Sequence, residues 1–460
     1  MTISRRRVMS SGLAAAALPF LPARLSAAPL PRDADVVVIG AGAAGLAAAR
    51  RIVAAGRRVI VVEAMNRVGG RCLTDATSLS GQFERGARWF YSPESNPLPK
   101  LARGVGMDVT PAPAGQRIRI GRRNARPAEA EDLLVSVVRA KRAIDEASRG
   151  PRDVACASVL PKDLDTWSPT VNYILGPMTT GRDLSGLSAV DAARMLDRDT
   201  GTTCHQGIGT LMAKLAEPLP LALETPATRV TWSNRDVAVE TPAGRIAARA
   251  AIVTVSTSVL TNGAMKFAPD LPKRHQDAAA KLGLGSCDRV VLELDGNPLG
   301  LGRDEVVIEK SRDSRTGLLL ANFRGSSLCS VDVGGAFGRD LAAQGEAAMA
   351  AFATEWLAGL YGSDVGKAVK RSAATRWDAV PSIMGAMSAA EPGGQGGRRA
   401  LMEPAGAVYF AGEAVHETLW GTLGGAWESG ERAADAVLRR LGPVKPEPAK
   451  AARKKTRARE

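Results

Sequence analysis

The sequence predicts an α/β fold in which a Rossmann-type domain carries a second, discontinuous α+β domain. Three observations predict it. Residues 35–39, DVVVI, end in four β-branched residues and break into a glycine turn and an alanine-rich helical run. A second apolar run, RRVIVVEA at 57–64, ends in Glu63. Near the C-terminus, Ala426, Ser429, Gly430, Ala433, Ala434 and Val437 fall at helical spacing and give one face small enough for close packing.

The first element sets the chemistry. Gly40, Gly42 and Gly45 match G-x-G-x-x-G. These positions supply a tight turn, close approach of a pyrophosphate to bare backbone, and tight packing of the following helix. The helix start offers unpaired N–H groups and a positive dipole end to the anion. Glu63, about 20 residues on, is placed to accept from ribose hydroxyls. An acid there disfavours a 2′-phosphate but leaves NAD and FAD open.

The next segment separates them. EAMNRVGGRCLT, residues 63–74, resembles the flavoprotein pattern E-A-x-x-R-x-G-G-R, which nicotinamide enzymes lack. With it, separated blocks of the chain after residue 33 resemble the flavin amine oxidase family: GARWFY at 86–91, HQGIGTLMAKLAEPL at 205–219, residues 227–260, and VYFAGEAVHETLWGTLGGAWESGERAADAVL at 408–438. The resemblance implies a glutathione-reductase-like FAD domain. It implies FAD contacts from Arg67, Gly69, Gly70 and Arg71, from Gly86, Ala87, Arg88 and Trp89, from the backbone near Val230, and from Trp377, Gly412, Glu413, Thr422 and Leu423. Attachment is expected to be noncovalent, since the segment before the last block has no cysteine. A helix beginning near Thr422 would aim its positive end at the flavin N1 and C2 carbonyl region.

The family resemblance also implies the domain limits and the reaction. The FAD domain is expected at 33–95, 201–265 and 396–442, and the substrate domain at 96–200 and 266–395, with helices around 129–147, 191–196 and 342–360 and strands RVVLELD and EVVIEK. Hydride passes from a carbon bearing a neutral amine to flavin N5. The imine hydrolyses to a carbonyl compound, and oxygen, or another acceptor, takes the electrons. The substrate class is an amine or an amino acid. Few protein acids and bases are needed, which suits a chain with three histidines. The five cysteines show no C-x-x-C spacing, so no metal site is expected.

Two positions depart from the family. Arg289 stands where many members carry a lysine beside flavin N5; it keeps the charge but cannot serve as a base. It is expected either to favour electron transfer to oxygen or to pair with Asp288 or Glu293. Met387 replaces an aromatic cage residue, leaving Trp420, with Trp89 or Trp377, as candidate cage walls. These departures keep two other readings open: a dehydrogenase or desaturase acting on an isoprenoid or tetrapyrrole, and a non-catalytic FAD-stabilised binding protein.

The ends carry most of the net charge of +14. Residues 1–27 contribute +4 and residues 445–460 contribute +5, leaving +5 for the body. Specific nucleic-acid binding is therefore not expected, and the proline- and charge-rich tail at 443–460 reads as a solvated, disordered end. SRRRVM followed by a short apolar segment ending in small residues reads as a signal peptide over 1–27, similar to a twin-arginine signal. That implies the twin-arginine translocase as a transient partner and a periplasmic or secreted location. The apolar segment is too short for stable membrane insertion.

Overall fold

The computed structural model describes residues 30–113, 115–198 and 201–443. The expected signal segment, and all of the expected tail but Pro443, lie outside these residues.

Strand β1, Asp33–Ile39, helix α1, Ala43–Ala54, and strand β2, Val59–Val62, form the predicted strand–turn–helix–strand unit. β1 pairs in parallel with β2 on one side and with the strand Gly244–Val253 on the other. That strand is joined in turn, also in parallel, by Val408–Phe410. Register aligns Ile39 with Val62 and Val253, and Val253 with Phe410. The glycine turn, Thr254 and Gly412 therefore emerge together beyond the carboxyl ends of parallel strands, where ligands bind in open α/β sheets.

This eight-stranded sheet also includes Leu221–Ala222, Arg229–Trp232, Val237–Thr241 and Lys266–Ala268. The last of these lies just beyond the interval expected for the FAD domain. The following helix, Lys273–Lys281, also packs on this sheet, since Ala278 joins its buried core. The other face is covered by α1 and the C-terminal helix Leu423–Leu441. A Cβ on Gly430 would overlap the carbonyl oxygen of Ala44, so the two helices meet backbone to backbone at the predicted small-residue face.

The second domain is built on a seven-stranded sheet, ordered Val369–Ala374, Cys287–Leu294, Leu328–Gly334, Leu318–Ala321, Glu305–Glu309, Arg117–Ile120 and Arg123–Asn124. One face packs on helices Gly335–Ala343 and Glu346–Tyr361. The helix expected at 342–360 occupies Glu346–Tyr361, and Gln344–Gly345 separate it from Gly335–Ala343. The helices expected at 129–147 and 191–196 occupy Pro127–Ser148 and Ala189–Arg194. Among the described residues no helix is long and apolar enough to cross a membrane.

Candidate active site

A cavity of about 1620 Å³ runs from the carboxyl ends of the first sheet to the second domain. At the first end, the turn after β1 is held from three sides. The Thr254 hydroxyl lies 2.9 Å from the Ile39 carbonyl, and a Cβ on Gly45 would overlap the Gly40 carbonyl oxygen. Glu63 Oε2 accepts from Ala41 N–H at 2.6 Å and Oε1 from Met65 N–H at 2.9 Å. The predicted ribose acceptor thus also pins the turn to the end of β2, and each of its oxygens keeps acceptor capacity. No side chain caps α1 at Gly42, and a Cβ there would meet nothing within 4 Å. An uncapped helix start facing open space fits a diphosphate.

The GGR loop closes over this turn through a Gly42–Gly69 bridge. Gly70 and Arg71 line the cavity. Arg71 Nη1 donates to the Ala386 carbonyl and, at 3.0 Å, to Glu413 Oε1. Arg67 does not line the cavity. Its guanidinium folds back onto the carbonyls of Val68, at 3.2 Å, and Gly70, at 2.8 Å, so it braces the loop from behind.

Glu413 ties three segments together. Besides Arg71 it accepts from Ser388 N–H at 3.1 Å, Ser388 Oγ at 2.6 Å and Gly421 N–H at 2.9 Å. Burial alone would raise its carboxyl, but Arg71 and Ser388 hold it below the ordinary carboxylate value. Thr422 then caps the C-terminal helix: its hydroxyl accepts from Gly425 N–H at 3.0 Å and donates to the Leu419 carbonyl at 2.6 Å. Gly412, Glu413, Thr422 and Leu423 all line the cavity.

The opposite wall combines the segment Gly86–Trp89 with residues of the second domain. Gly86, Ala87, Arg88, Trp89 and Trp377 line the cavity, and Trp377 Nε1 donates to the Arg85 carbonyl at 3.3 Å. Arg289 lines it too, largely but not wholly buried, and paired neither with Asp288 nor with Glu293. Its Nε and Nη2 donate to Asp332, at 2.8 and 3.1 Å, and Nη1 donates to the carbonyls of Glu84 and Gly86. Arg88 binds the same Asp332 carboxylate. Asp288 instead accepts through Oδ1 from Thr375 Oγ1 at 2.8 Å and Trp377 N–H at 3.0 Å, while Oδ2 is buried without a partner among the described residues.

Besides Arg67, and Gly45 packed beneath the turn, two sequence-predicted residues lie off the cavity. Val230 points into the core of the first sheet, and the cavity wall at that end comes from Pro226, Ala227 and Thr228. Trp420 is fully buried, with Arg198 5.4 Å from its ring and Arg398 4.5 Å away, so it is a packing residue rather than a cage wall. Arg198 and Asp332 were missed. Both face the cavity, but their partners are distant in sequence and leave no local signal.

The residues at the first end fit FAD: an open, uncapped helix start for the diphosphate, a buried carboxylate for the ribose, and room beyond for the ring system. FAD supplies a two-electron acceptor at N5 when bound. The chain supplies position and charge.

The chain is similar to known proteins over most of its length. The rice Lysine-specific histone demethylase 1 homolog 3, from Oryza sativa subsp. japonica, is 28% identical over 295 residues, covering 57% of this chain and 35% of that protein. This chain thus corresponds to about a third of that relative's length. Among solved structures, wild-type putrescine oxidase bound to putrescine superposes with a TM-score of 0.76 at 19% identity, over 89% of this chain and 99% of that one. Cyclohexylamine oxidase from Brevibacterium oxydans gives 0.76 at 20% identity, over 89% of this chain and 99% of that one. Residues 43–438 match the family described as flavin containing amine oxidoreductase, the span from the first residue of α1 to the C-terminal helix, and the chain belongs to that family.

Proposed function

We propose that the chain oxidises a small amine-bearing substrate with FAD as the immediate acceptor and oxygen as the final one. The neutral amine's lone pair forms the C=N bond as a hydride leaves the same carbon for the flavin. Water then adds to the imine, releasing ammonia or a smaller amine and a carbonyl compound. Oxygen takes up the two electrons and two protons as hydrogen peroxide. The observation that carries this reading is the continuity of the cavity. One space joins the dinucleotide turn to a chamber walled by Leu133, Leu175, Met178 and Leu187, where a substrate would be screened from water.

The cited relatives support the class: putrescine oxidase and cyclohexylamine oxidase are named for amines. The test is anaerobic addition of an amine and amino-acid panel to the FAD-loaded protein. Bleaching of the flavin absorbance, followed by peroxide on admitting air, is expected. A flavin that no member reduces would end this reading. We propose further that the protein is exported folded by the twin-arginine route, on the basis of Arg5, Arg6 and Arg7 ahead of the short apolar segment.

A further inference from the structure

Arg198 lines the cavity with its guanidinium committed only to backbone carbonyls. Nη1 donates to Thr179 at 3.0 Å and Nη2 to Trp420. A guanidinium has five N–H donors, so three remain. No carboxylate among the described residues lies within ion-pair distance of it. The rings of Trp420 and Tyr91 lie 5.4 and 5.8 Å from its central carbon, which fixes the plane of the fork. Burial lowers its pKa, and Tyr91 and Glu413 offset that shift only in part.

The surroundings are short of negative charge. Arg88 and Arg289 share the single carboxylate of Asp332. Glu413 is already taken up by Arg71, Ser388 and Gly421. Of the other acids that line the cavity toward the second domain, Asp145 and Asp197 are exposed, and Asp288 is held by Thr375 and the Trp377 N–H. A half-buried, oriented guanidinium with no ion-pair partner among the described residues is costly unless a ligand completes it, and its fork matches a carboxylate.

The position suits a reacting molecule. A Cβ built at Gly421 would lie 3.4 Å from Arg198 Nη2 and 3.4 Å from Met387 Cβ, so the guanidinium stands beside the residue before the Thr422 cap. Thr179, whose carbonyl it holds, follows Met178 of the apolar chamber.

We propose that Arg198 anchors the carboxylate of the substrate, so that the amine oxidised here is an amino acid whose apolar side chain occupies the chamber beside it. This rests on the amine-oxidation reading above, and it names the substrate class within it. It also predicts that a compact diamine, positively charged at both ends, binds poorly beside Arg198.

The test uses the full, FAD-loaded chain and two halves of leucine: 4-methylpentanoate, which lacks the amine, and 3-methylbutylamine, which lacks the carboxylate. Binding is read by calorimetry and by the shift of the flavin's visible absorbance. The wild type is expected to bind the carboxylate more tightly than the amine. Arg198→Gln should weaken carboxylate binding about 10- to 100-fold, the loss of charge-assisted hydrogen bonds, while leaving the amine and FAD affinities little changed. Arg198→Lys, with the charge but not the fork, should recover part of the loss.

A wild type that ignores the carboxylate would overturn the proposal. So would an Arg198→Gln protein that loses amine and carboxylate equally, or one that loses FAD, since Arg198 would then be structural or a cofactor contact. Bleaching by 3-methylbutylamine but not by leucine would overturn it while leaving amine oxidation standing. Arg198-dependent carboxylate binding, with no bleaching by any amine or amino acid, would keep the anchor and remove the oxidation reading.

Discussion

Arg289 and Asp332 stand directly opposite each other on antiparallel strands, and Nε–Oδ1 and Nη2–Oδ2 bonds of 2.8 and 3.1 Å join them in a fork. With the carbonyls of Glu84 and Gly86 also held, the guanidinium fixes the cavity segment Gly86–Trp89 as well as carrying charge. A charge acting on oxygen alone would slow only flavin reoxidation when removed. A brace would slow both half-reactions.

Four of its five donors are taken up by protein, so Arg289→Met is expected to slow reduction and reoxidation together. It should also destabilise the fold by about 3 kcal/mol, the low end for breaking a buried pair, because Arg88 still compensates Asp332. Stopped-flow measurement of each half-reaction, with denaturant unfolding, checks this. Selective loss of reoxidation would restore the role at oxygen.

Glu63 does two jobs, and one can be measured without cofactor. Glu63→Gln keeps the shape but turns one acceptor into a donor facing the N–H of Ala41 or Met65. Loss of a buried hydrogen bond costs about 1–3 kcal/mol. The FAD-free protein should therefore lose stability by that amount, and FAD affinity should fall as well. An FAD-free variant as stable as the wild type would confine Glu63 to the ribose.

What could be read from sequence was what local chemistry dictates. Gly40, Gly42 and Gly45 sit between a β-branched run and a helix, Glu63 ends the next run, and Thr422 precedes a small-residue helix; each signal lies within a few residues of its effect. The side chains that depend on distant partners could not be read this way. Trp420 looked like a cage wall because nothing adjacent shows that Arg198 and Arg398 enclose it. Arg198 has no local signal in the sequence, since the groups that hold it, the carbonyls of Thr179 and Trp420, lie far away along the chain. For Arg289 the sequence offers as pairing partners only the acids of its own strand, Asp288 and Glu293, although its partner is a cross-strand neighbour.

The contact of α1 with the C-terminal helix gives a third prediction. Any side chain at Gly430 must displace the Ala44 carbonyl or part the helices. Gly430→Val should lower stability by about 1–3 kcal/mol, the cost of overpacking, and weaken FAD binding because both helix starts border the cavity. Thermal melts with and without FAD measure the two effects. Unchanged melting would mean that the helices separate at no cost.

Export gives a fourth. Arg5→Lys with Arg6→Lys should leave the precursor inside the cell, since the paired arginines are the feature that resembles a twin-arginine signal. Fractionation and N-terminal sequencing read the outcome, and undiminished export would remove that route.

Asp288 gives the last. Burial pushes its carboxyl up from 3.8 to about 6, and Oδ2 has no partner among the described residues to offset the cost of ionising. Between those values the folded state binds more protons than the unfolded state, so the unfolding free energy falls as pH rises. The fall begins near the unfolded value and is complete above about pH 6. A difference of about two units corresponds to about 3 kcal/mol. Asp288→Asn keeps an oxygen to accept from Thr375 and from Trp377 N–H, and it removes the titration. The variant is therefore expected to match the wild type near pH 4 and to exceed it increasingly up to pH 6, as read by denaturant unfolding across that range. Parallel curves would show that Asp288 ionises in the folded protein at no cost and that its burial is relieved by solvent.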